Sequence, residues 1–316
     1  MNALAVHVWR AVRPVGTYQR LLWWAGTLLL ASAVVHGVVA AVDGSPWWGP
    51  VSWRKPITFG LSLGLLLWAV VWILRQLPER WWARVPAGLI GFSAPVEGVL
   101  IAMQRWRGVA SHFNQVTPFD SAIWSALGTL IIPLTLGVAW LLVASLVRFR
   151  GTPASRVAVM AGLAGILAAG VIGRDMAAIG EAAFAATGQV PRDELIGAAG
   201  SAKLAHFVGL HAVQVLAVLA IVLNAGRLSA RAAGLVTLVG AAGYAAVFGA
   251  VTATAYAGRA PYSPTVAMSL LLVGGVLALA AVAVLAVTRR LPADASLSSP
   301  IEGRAMTTVH PGGAGR

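Results

Sequence analysis

Histidine is the residue type in this chain best suited to binding a haem or a metal ion, and the sequence contains six. His36 and His211 lie in different apolar segments, roughly 9 and 12 Å below the predicted outer ends of those segments at about 1.5 Å per residue. Two imidazoles at matched depth on separate helices are the minimum for ligating the iron of a b-type haem. His206 and His211 are five positions apart, so on a regular helix they diverge by about 140° and do not share one small ion.

The first hypothesis is therefore a membrane redox protein that binds haem b or a metal ion near its outer face. Its predicted ligands are His36 and His211, with His112 and His206 as second candidates. Basic residues at the same surface are predicted to pair with haem propionates: Arg105, Arg107 and Lys203. The competing interpretation is that these histidines form hydrogen bonds between helices as part of ordinary packing.

A second set of polar residues favours a substrate or proton site. Glu97 follows Pro95 inside an apolar segment, and a carboxylate within a membrane must be protonated, paired or hydrated. Arg174 and Lys203 are its candidate ion-pair partners. The full set predicted for such a site is Lys55, Glu97, Asn114, Arg174, Glu181 and Gln214. These residues support an alternative function as a transporter or permease, although the inner half of the chain offers few polar residues for a path across the membrane.

The polar loop at residues 104–115 supports a third hypothesis. Its Arg, His, Asn and Gln side chains exceed the needs of a simple connector. The loop is predicted to bind a small molecule, a lipid head group or a protein partner at the outer side, as a non-catalytic scaffold would. Arginines at an interface also pair with lipid phosphate without any further function.

Several classes of chemistry are excluded by composition, and others lack the sequence motif that they usually require. The chain has no cysteine, which excludes disulfides, thiolate catalysis, iron–sulfur clusters and cysteine-based zinc sites. It contains no phosphate-binding Gly-Lys-Ser/Thr loop and no His-Glu-x-x-His zinc motif. Its one Gly-x-Ser-x-Gly pattern, at residues 60–64, lies inside an apolar segment and not at the strand-to-helix turn of a hydrolase elbow. Whether the protein is an enzyme stays open at this point.

These residues must be positioned by membrane helices, because 59% of the 316 residues are hydrophobic and only 10% are charged. A soluble domain has about a quarter charged residues. A bilayer core about 30 Å thick needs about 20 apolar residues per helix. The sequence therefore predicts an all-α polytopic bundle with about eight transmembrane helices, at residues 21–42, 57–76, 84–103, 121–147, 156–181, 203–225, 233–257 and 264–288.

The positions of the basic residues, which give the chain its net charge of +13, predict its orientation in the membrane, and no nucleic-acid partner is predicted. Most basic residues lie in short clusters between apolar segments, on the side that the positive-inside rule assigns to the cytoplasm. Both termini are then cytoplasmic, and the protein is predicted to lie in the inner (plasma) membrane. Residues 1–20 are expected to form a basic interfacial segment with a short surface helix, residues 21–288 the transmembrane domain and residues 289–316 a disordered cytoplasmic tail.

Three segments carry a resemblance to a known group of proteins. They are Lys-Pro-x-x-Phe at residues 55–59, Arg-Gly-x-x-Ser-His-Phe-Asn at 107–114, and His-Phe-x-Gly-Leu-His-Ala-x-Gln at 206–214. With these segments the chain resembles uncharacterised multi-pass bacterial membrane proteins. The resemblance implies a polytopic membrane fold and does not imply an activity.

Overall fold

A computed structural model describes residues 3–191 and 196–288. These ranges contain ten α-helices and no strands: α1 Ala3–Val12, α2 Thr17–Asp43, α3 Arg54–Leu74, α4 Trp81–Trp106, α5 Pro118–Arg148, α6 Pro153–Thr187, α7 Ser201–Leu210, α8 Ala212–Asn224, α9 Ala230–Tyr256 and α10 Val266–Thr288. Seven are long and apolar enough to cross a membrane, and the number reaches eight if the bent pair α7–α8 is one span. The predicted polytopic helical bundle is confirmed.

Most helices begin a few residues before the predicted apolar segment, and polar capping residues start three of them. The Thr117 side chain accepts a hydrogen bond from the Asp120 backbone at the start of α5, and Thr152 does the same for α6. Ser229 caps α9 in the same way. Such caps satisfy backbone N–H groups that have no partner within the helix.

The sixth predicted span is bent and is not one regular helix. The chain bends by 40° between α7 and α8, at His211. The Tyr244 hydroxyl of α9 donates a hydrogen bond to the Val208 carbonyl at 2.6 Å. Turned toward the break, the Gln214 amide donates to the carbonyls of Leu210 and His211 at 3.2 and 3.1 Å. Side chains that enter the backbone hydrogen-bond ladder in this way are a known cause of helix kinks.

The core lies around α3, whose apolar stretch is 61% buried, compared with 17% for α10 at the periphery. Close contact between α2 and α3 depends on glycine, since a Cβ at Gly64 would lie 2.9 Å from the Gly26 carbonyl oxygen. In lipid, where hydrophobic burial does not drive helices together, such close backbone approach is a main source of packing energy.

The connections α2–α3, α4–α5, α6–α7 and α9–α10 lie at one end of the bundle, which we call the outer end after the predicted orientation. Side-chain contacts join these connections, for example Arg105 with Asp43 and Trp124 with Glu181. At the opposite end, α1 forms where the sequence predicts a short helix, and its Trp9 ring contacts Trp23. The predicted disordered tail, residues 289–316, lies outside the described residues.

Candidate functional site

The three segments singled out in the sequence meet at the outer end of the bundle. The ring of Phe59 in α3 contacts the ring of His112, with centroids 5.4 Å apart. His112 also lies within electrostatic range of Lys55 and of His206 in α7. We call this assembly the basic–aromatic cluster, comprising Lys55, Phe59, His112, Phe113, Trp124, Lys203 and His206.

Helix α3 presents one face to this cluster. Lys55, Phe59 and Ser62 stand at spacings of four and three, which places them on one side of a helix. Ser62 continues the face toward the α7–α8 break, where its hydroxyl lies 3.0 Å from Nε2 of His211. Phe59 and Ser62 were not among the predicted site residues, although their helical spacing from Lys55 is a signal that points to both.

His112 is held among aromatic rings as a neutral imidazole. Phe59 and Trp124 lie 5.4 and 5.6 Å from its ring, and the Ser111 hydroxyl lies 2.9 Å from its Nδ1. Burial lowers the pKa of His112 to about 3, with smaller contributions from the charges of Lys55 and His206. The ring is therefore uncharged at neutral pH, and it can donate or accept a hydrogen bond without adding to the positive charge of the cluster.

The loop that carries His112 contains a residue in the left-handed backbone region. Phe113 adopts a φ of 60°, which non-glycine residues avoid at a cost of about 1 kcal/mol. Asn114 is buried and holds the turn, since its amide donates to the Ala110 carbonyl and accepts from the Val116 backbone, both at 3.2 Å. The Phe113 ring fits against α6 only because residue 180 is glycine, where a Cβ would lie 2.5 Å from the ring.

His206 is oriented by α6. Its Nδ1 lies 2.8 Å from the Ala169 carbonyl oxygen, so Nδ1 carries the proton and Nε2 is left as an acceptor. The ring packs against Gly173, where a Cβ would lie 2.8 Å from Cε1. Two histidines of the cluster thus each have Nδ1 held by the protein.

The cluster carries positive charge. Lys203 and Arg54 lie within electrostatic range of Lys55. Three salt bridges occur in the described part of the chain, and none of them includes Lys55. At the rim, Glu181 accepts a hydrogen bond from Trp124 Nε1 at 3.1 Å. Lys55, His112 and His206 are all half-buried, so each retains a path to the surface.

His36 belongs to a different assembly that ties α2, α3 and α4 together. Its Nε2 accepts from Trp106 Nε1 at 3.1 Å, its Nδ1 lies 2.8 Å from the Ser32 carbonyl, and its ring stacks on Trp53. Arg105 lies over the Trp53 ring at 4.0 Å and pairs with Asp43 at 3.2 Å. Both ring nitrogens of His36 therefore have protein partners.

The matched-depth pair His36 and His211 is not brought together. Among residues 3–191 and 196–288, no ring contact or hydrogen bond joins the two imidazoles. Arg107, a predicted propionate partner, is held at 2.6 Å from Asp120 in α5 and also bonds Gln104. No group of three or more His, Asp or Glu side chains within the same residues is placed to hold a metal ion.

The proposed ion pairs of Glu97 are not formed among the described residues. Arg174 instead pairs with its neighbour Asp175 at 3.1 Å, and its side chain is 76% exposed. Asp175 also accepts from the Tyr256 hydroxyl of α9 at 2.7 Å. Asp175 thus lies on the side of α6 that faces α9, and Arg174 is held by it. Depth along the helices suggested these pairs, but the direction in which each side chain points prevents them.

No family model, no curated protein and no solved structure matches this chain.

Proposed function

We propose that this membrane protein binds an anionic group, a phosphate or a carboxylate, in the basic–aromatic cluster at its outer end. The observation that carries the proposal is the convergence of Lys55, His112 and His206 from three distant segments. From the distribution of basic residues we also propose that the bundle lies in the plasma membrane with the cluster on the outer side.

The chemistry of these groups suits an anion. The Lys55 ammonium forms charge-assisted hydrogen bonds with phosphate and carboxylate oxygens, which are about twice as strong as neutral ones. Because Nδ1 of His206 is bonded to the Ala169 carbonyl, His206 donates to an anion from Nε2 only when its ring is protonated, a state that a neighbouring anion favours. The rings of Phe59, Phe113 and Trp124 lower the local dielectric constant, and this strengthens the attraction between an ammonium and an anion. A bound anion also relieves the repulsion between Lys55 and the neighbouring cations Arg54 and Lys203.

The position of the cluster allows two sources of the anion. The helix ends place it where lipid head groups meet the outer ends of the spans, and Phe207, next to His206 in sequence, is 50% exposed. A phospholipid head group and a free solute phosphate share the same recognition chemistry.

A carrier function for the same site is the second candidate. The break between α7 and α8 lies one turn beyond His206 and is joined to α3 through the contact between Ser62 and His211. Broken membrane helices often border the substrate sites of transporters, because they can change angle without unfolding. A haem or metal function receives less support from the geometry, since both nitrogens of His36 are occupied by protein partners.

Anion binding is measured by thermal unfolding of the purified protein. The first arm compares the unfolding temperature in phosphate with that in chloride at the same ionic strength. The second arm compares mixed micelles that contain phosphatidylglycerol with mixed micelles that contain phosphatidylcholine. Wild-type protein is expected to be stabilised by one of these anions, by about 2.7 kcal/mol at one hundred times Kd. Stabilisation in the first arm identifies a free solute, and stabilisation in the second arm alone identifies a lipid.

The variant Lys55→Gln is expected to weaken this response at least tenfold in apparent affinity. Its matched control is Arg174→Gln, which removes one positive charge at the same end from a side chain that is 76% exposed. An equal response of the two variants, or no response of the wild-type protein to either anion, would show that the cluster is not an anion site.

A further inference from the structure

Glu97 is a buried carboxyl group that the anion site does not use. It is 5% exposed and lies nine residues before Trp106, the last residue of α4. At about 1.5 Å per residue, this depth is roughly 13 Å from the helix end. In a hydrocarbon core about 30 Å thick, Glu97 therefore lies close to the middle of the membrane.

The side chains that flank this carboxyl group on α4 are mostly apolar, and its polar neighbour Ser93 donates its hydroxyl to the Leu89 carbonyl at 2.8 Å. Its Oε2 atom is buried and has no hydrogen-bond partner among the described residues. Ala94 and Ile101, on the same side of α4, are fully buried. At the next position, a Cβ on Gly98 would lie 2.7 Å from Leu29 and 4.0 Å from Leu63.

No countercharge reaches Glu97 from the helices packed against α4, which are α2, α3 and α5. None of their titratable or charged groups forms a salt bridge with Glu97 within the described ranges. His36 bonds Ser32 and Trp106, Asp43 pairs with Arg105, and Asp120 pairs with Arg107. The other such groups on these helices lie near the helix ends: Tyr18, Arg20, Arg54, Lys55 and Arg148.

We infer that Glu97 is a proton-binding site in the membrane interior, occupied at neutral pH. Leaving a carboxylate unpaired in an apolar environment costs several kcal/mol, so the group takes up a proton and becomes neutral. The site is separate from the basic–aromatic cluster and does not depend on it. Its ligand is a proton, and its chemical signature is reactivity toward carbodiimides that dissolve in the membrane.

That reactivity depends on the bound proton. The O–H of a neutral carboxylic acid adds across one C=N bond of the carbodiimide, with the proton going to nitrogen and the oxygen bonding to the central carbon. The acyl group then shifts from oxygen to nitrogen and leaves a stable N-acylurea, without loss of any atom. An ionised carboxylate has no proton to supply, so labelling reports on the protonated form.

The test treats the full-length protein in lipid vesicles with dicyclohexylcarbodiimide across a pH series and maps the adducts by peptide mass spectrometry. Labelling of Glu97 is expected at pH 6–7 and is expected to decline at alkaline pH. A water-soluble carbodiimide, which stays outside the hydrocarbon core, is expected to label Glu97 at least tenfold less. Glu97→Gln removes the adduct, and Glu181→Gln, at an exposed position, leaves it unchanged.

Absence of a Glu97 adduct at every pH would overturn the inference, as would equal labelling by the two reagents. A second test, thermal unfolding of the Glu97→Gln variant, does not use the carbodiimide. Glu97→Gln resembles the neutral acid in shape and charge, so the variant is expected to unfold at the wild-type temperature to within about 2 °C. A fall of more than about 5 °C in Tm would indicate that the native group is an ionised carboxylate with a partner.

Discussion

The hydroxyl of Ser62 in α3 lies 3.0 Å from Nε2 of His211, at the break between α7 and α8. This contact joins two residues that are 149 positions apart in sequence. It links the helix that carries Lys55 to the point where the sixth span changes direction. The link connects the basic–aromatic cluster to the broken span.

Removing this hydroxyl is expected to weaken the attachment of the broken span to α3. Ser62→Ala should lower the free energy of unfolding by about 1 kcal/mol, because one partly buried hydrogen bond is lost. Thr129→Ala is the control, since the Thr129 hydroxyl bonds only the Ser125 carbonyl of its own helix, and its effect should stay below about 0.5 kcal/mol. Urea or thermal unfolding measures both, and equal effects would contradict a role for the contact.

The bend between α7 and α8 is expected to depend on Tyr244. Tyr244→Phe leaves the Val208 carbonyl without its 2.6 Å partner, which should cost about 1–2 kcal/mol of stability. The control is Tyr262→Phe, at a side chain that is 83% exposed, where no change is expected. If the two variants unfold at the same temperature, the hydroxyl does not stabilise the break.

Two glycines of α6 provide a matched pair for testing the orientation of His206. A Cβ at Gly173 would lie 2.8 Å from the His206 ring, whereas at Gly170 it would meet nothing within 4 Å. Gly173→Ala is therefore expected to weaken anion binding several-fold. Gly170→Ala should leave binding unchanged and stabilise the helix by up to about 1 kcal/mol. Anion titration measures the affinity of both variants, and equal affinities would contradict the assigned position of the His206 ring.

His112 is expected to make the protein less stable in acid. Its pKa is about 3 in the fold and 6.5 when unperturbed, so between these values the unfolded chain binds a proton that the folded chain does not. Stability should then decrease as pH falls from 6.5 toward 3, by at most about 1.4 kcal/mol per pH unit. The check is unfolding of wild-type protein and His112→Gln between pH 7 and 5. The wild-type protein should lose more stability than the variant, and parallel curves would contradict the prediction.

The orientation of the bundle in the membrane can be tested with single introduced cysteines, because the chain contains no cysteine of its own. Gln189→Cys places a thiol at the outer end and Arg150→Cys at the opposite end, both at exposed positions. In intact right-side-out vesicles, a membrane-impermeant maleimide is expected to label only Gln189→Cys. Lysis should expose Arg150→Cys to the reagent. The reverse pattern would place the cluster on the cytoplasmic side.

Apolar segment length was enough to predict where the membrane helices lie. A helix satisfies its own backbone hydrogen bonds, so in lipid the number and position of the spans depend on local composition. The break at His211 was not predictable in this way, because one of the contacts at the break joins Val208 to the hydroxyl of Tyr244, 36 positions away. A contact between distant residues leaves no signature in the local pattern.

The candidate site was also predictable only in part from the sequence. The sequence by itself determined which segments are polar and the depth of each side chain along its helix, since the rise per residue is constant. Only the tertiary structure decided which side chains face one another. That outcome depends on how each helix is rotated about its axis, and glycines such as Gly173 and Gly180 set the rotation by allowing close approach. The matched depths of His36 and His211 therefore led to no contact, whereas Lys55, His112 and His206 came together.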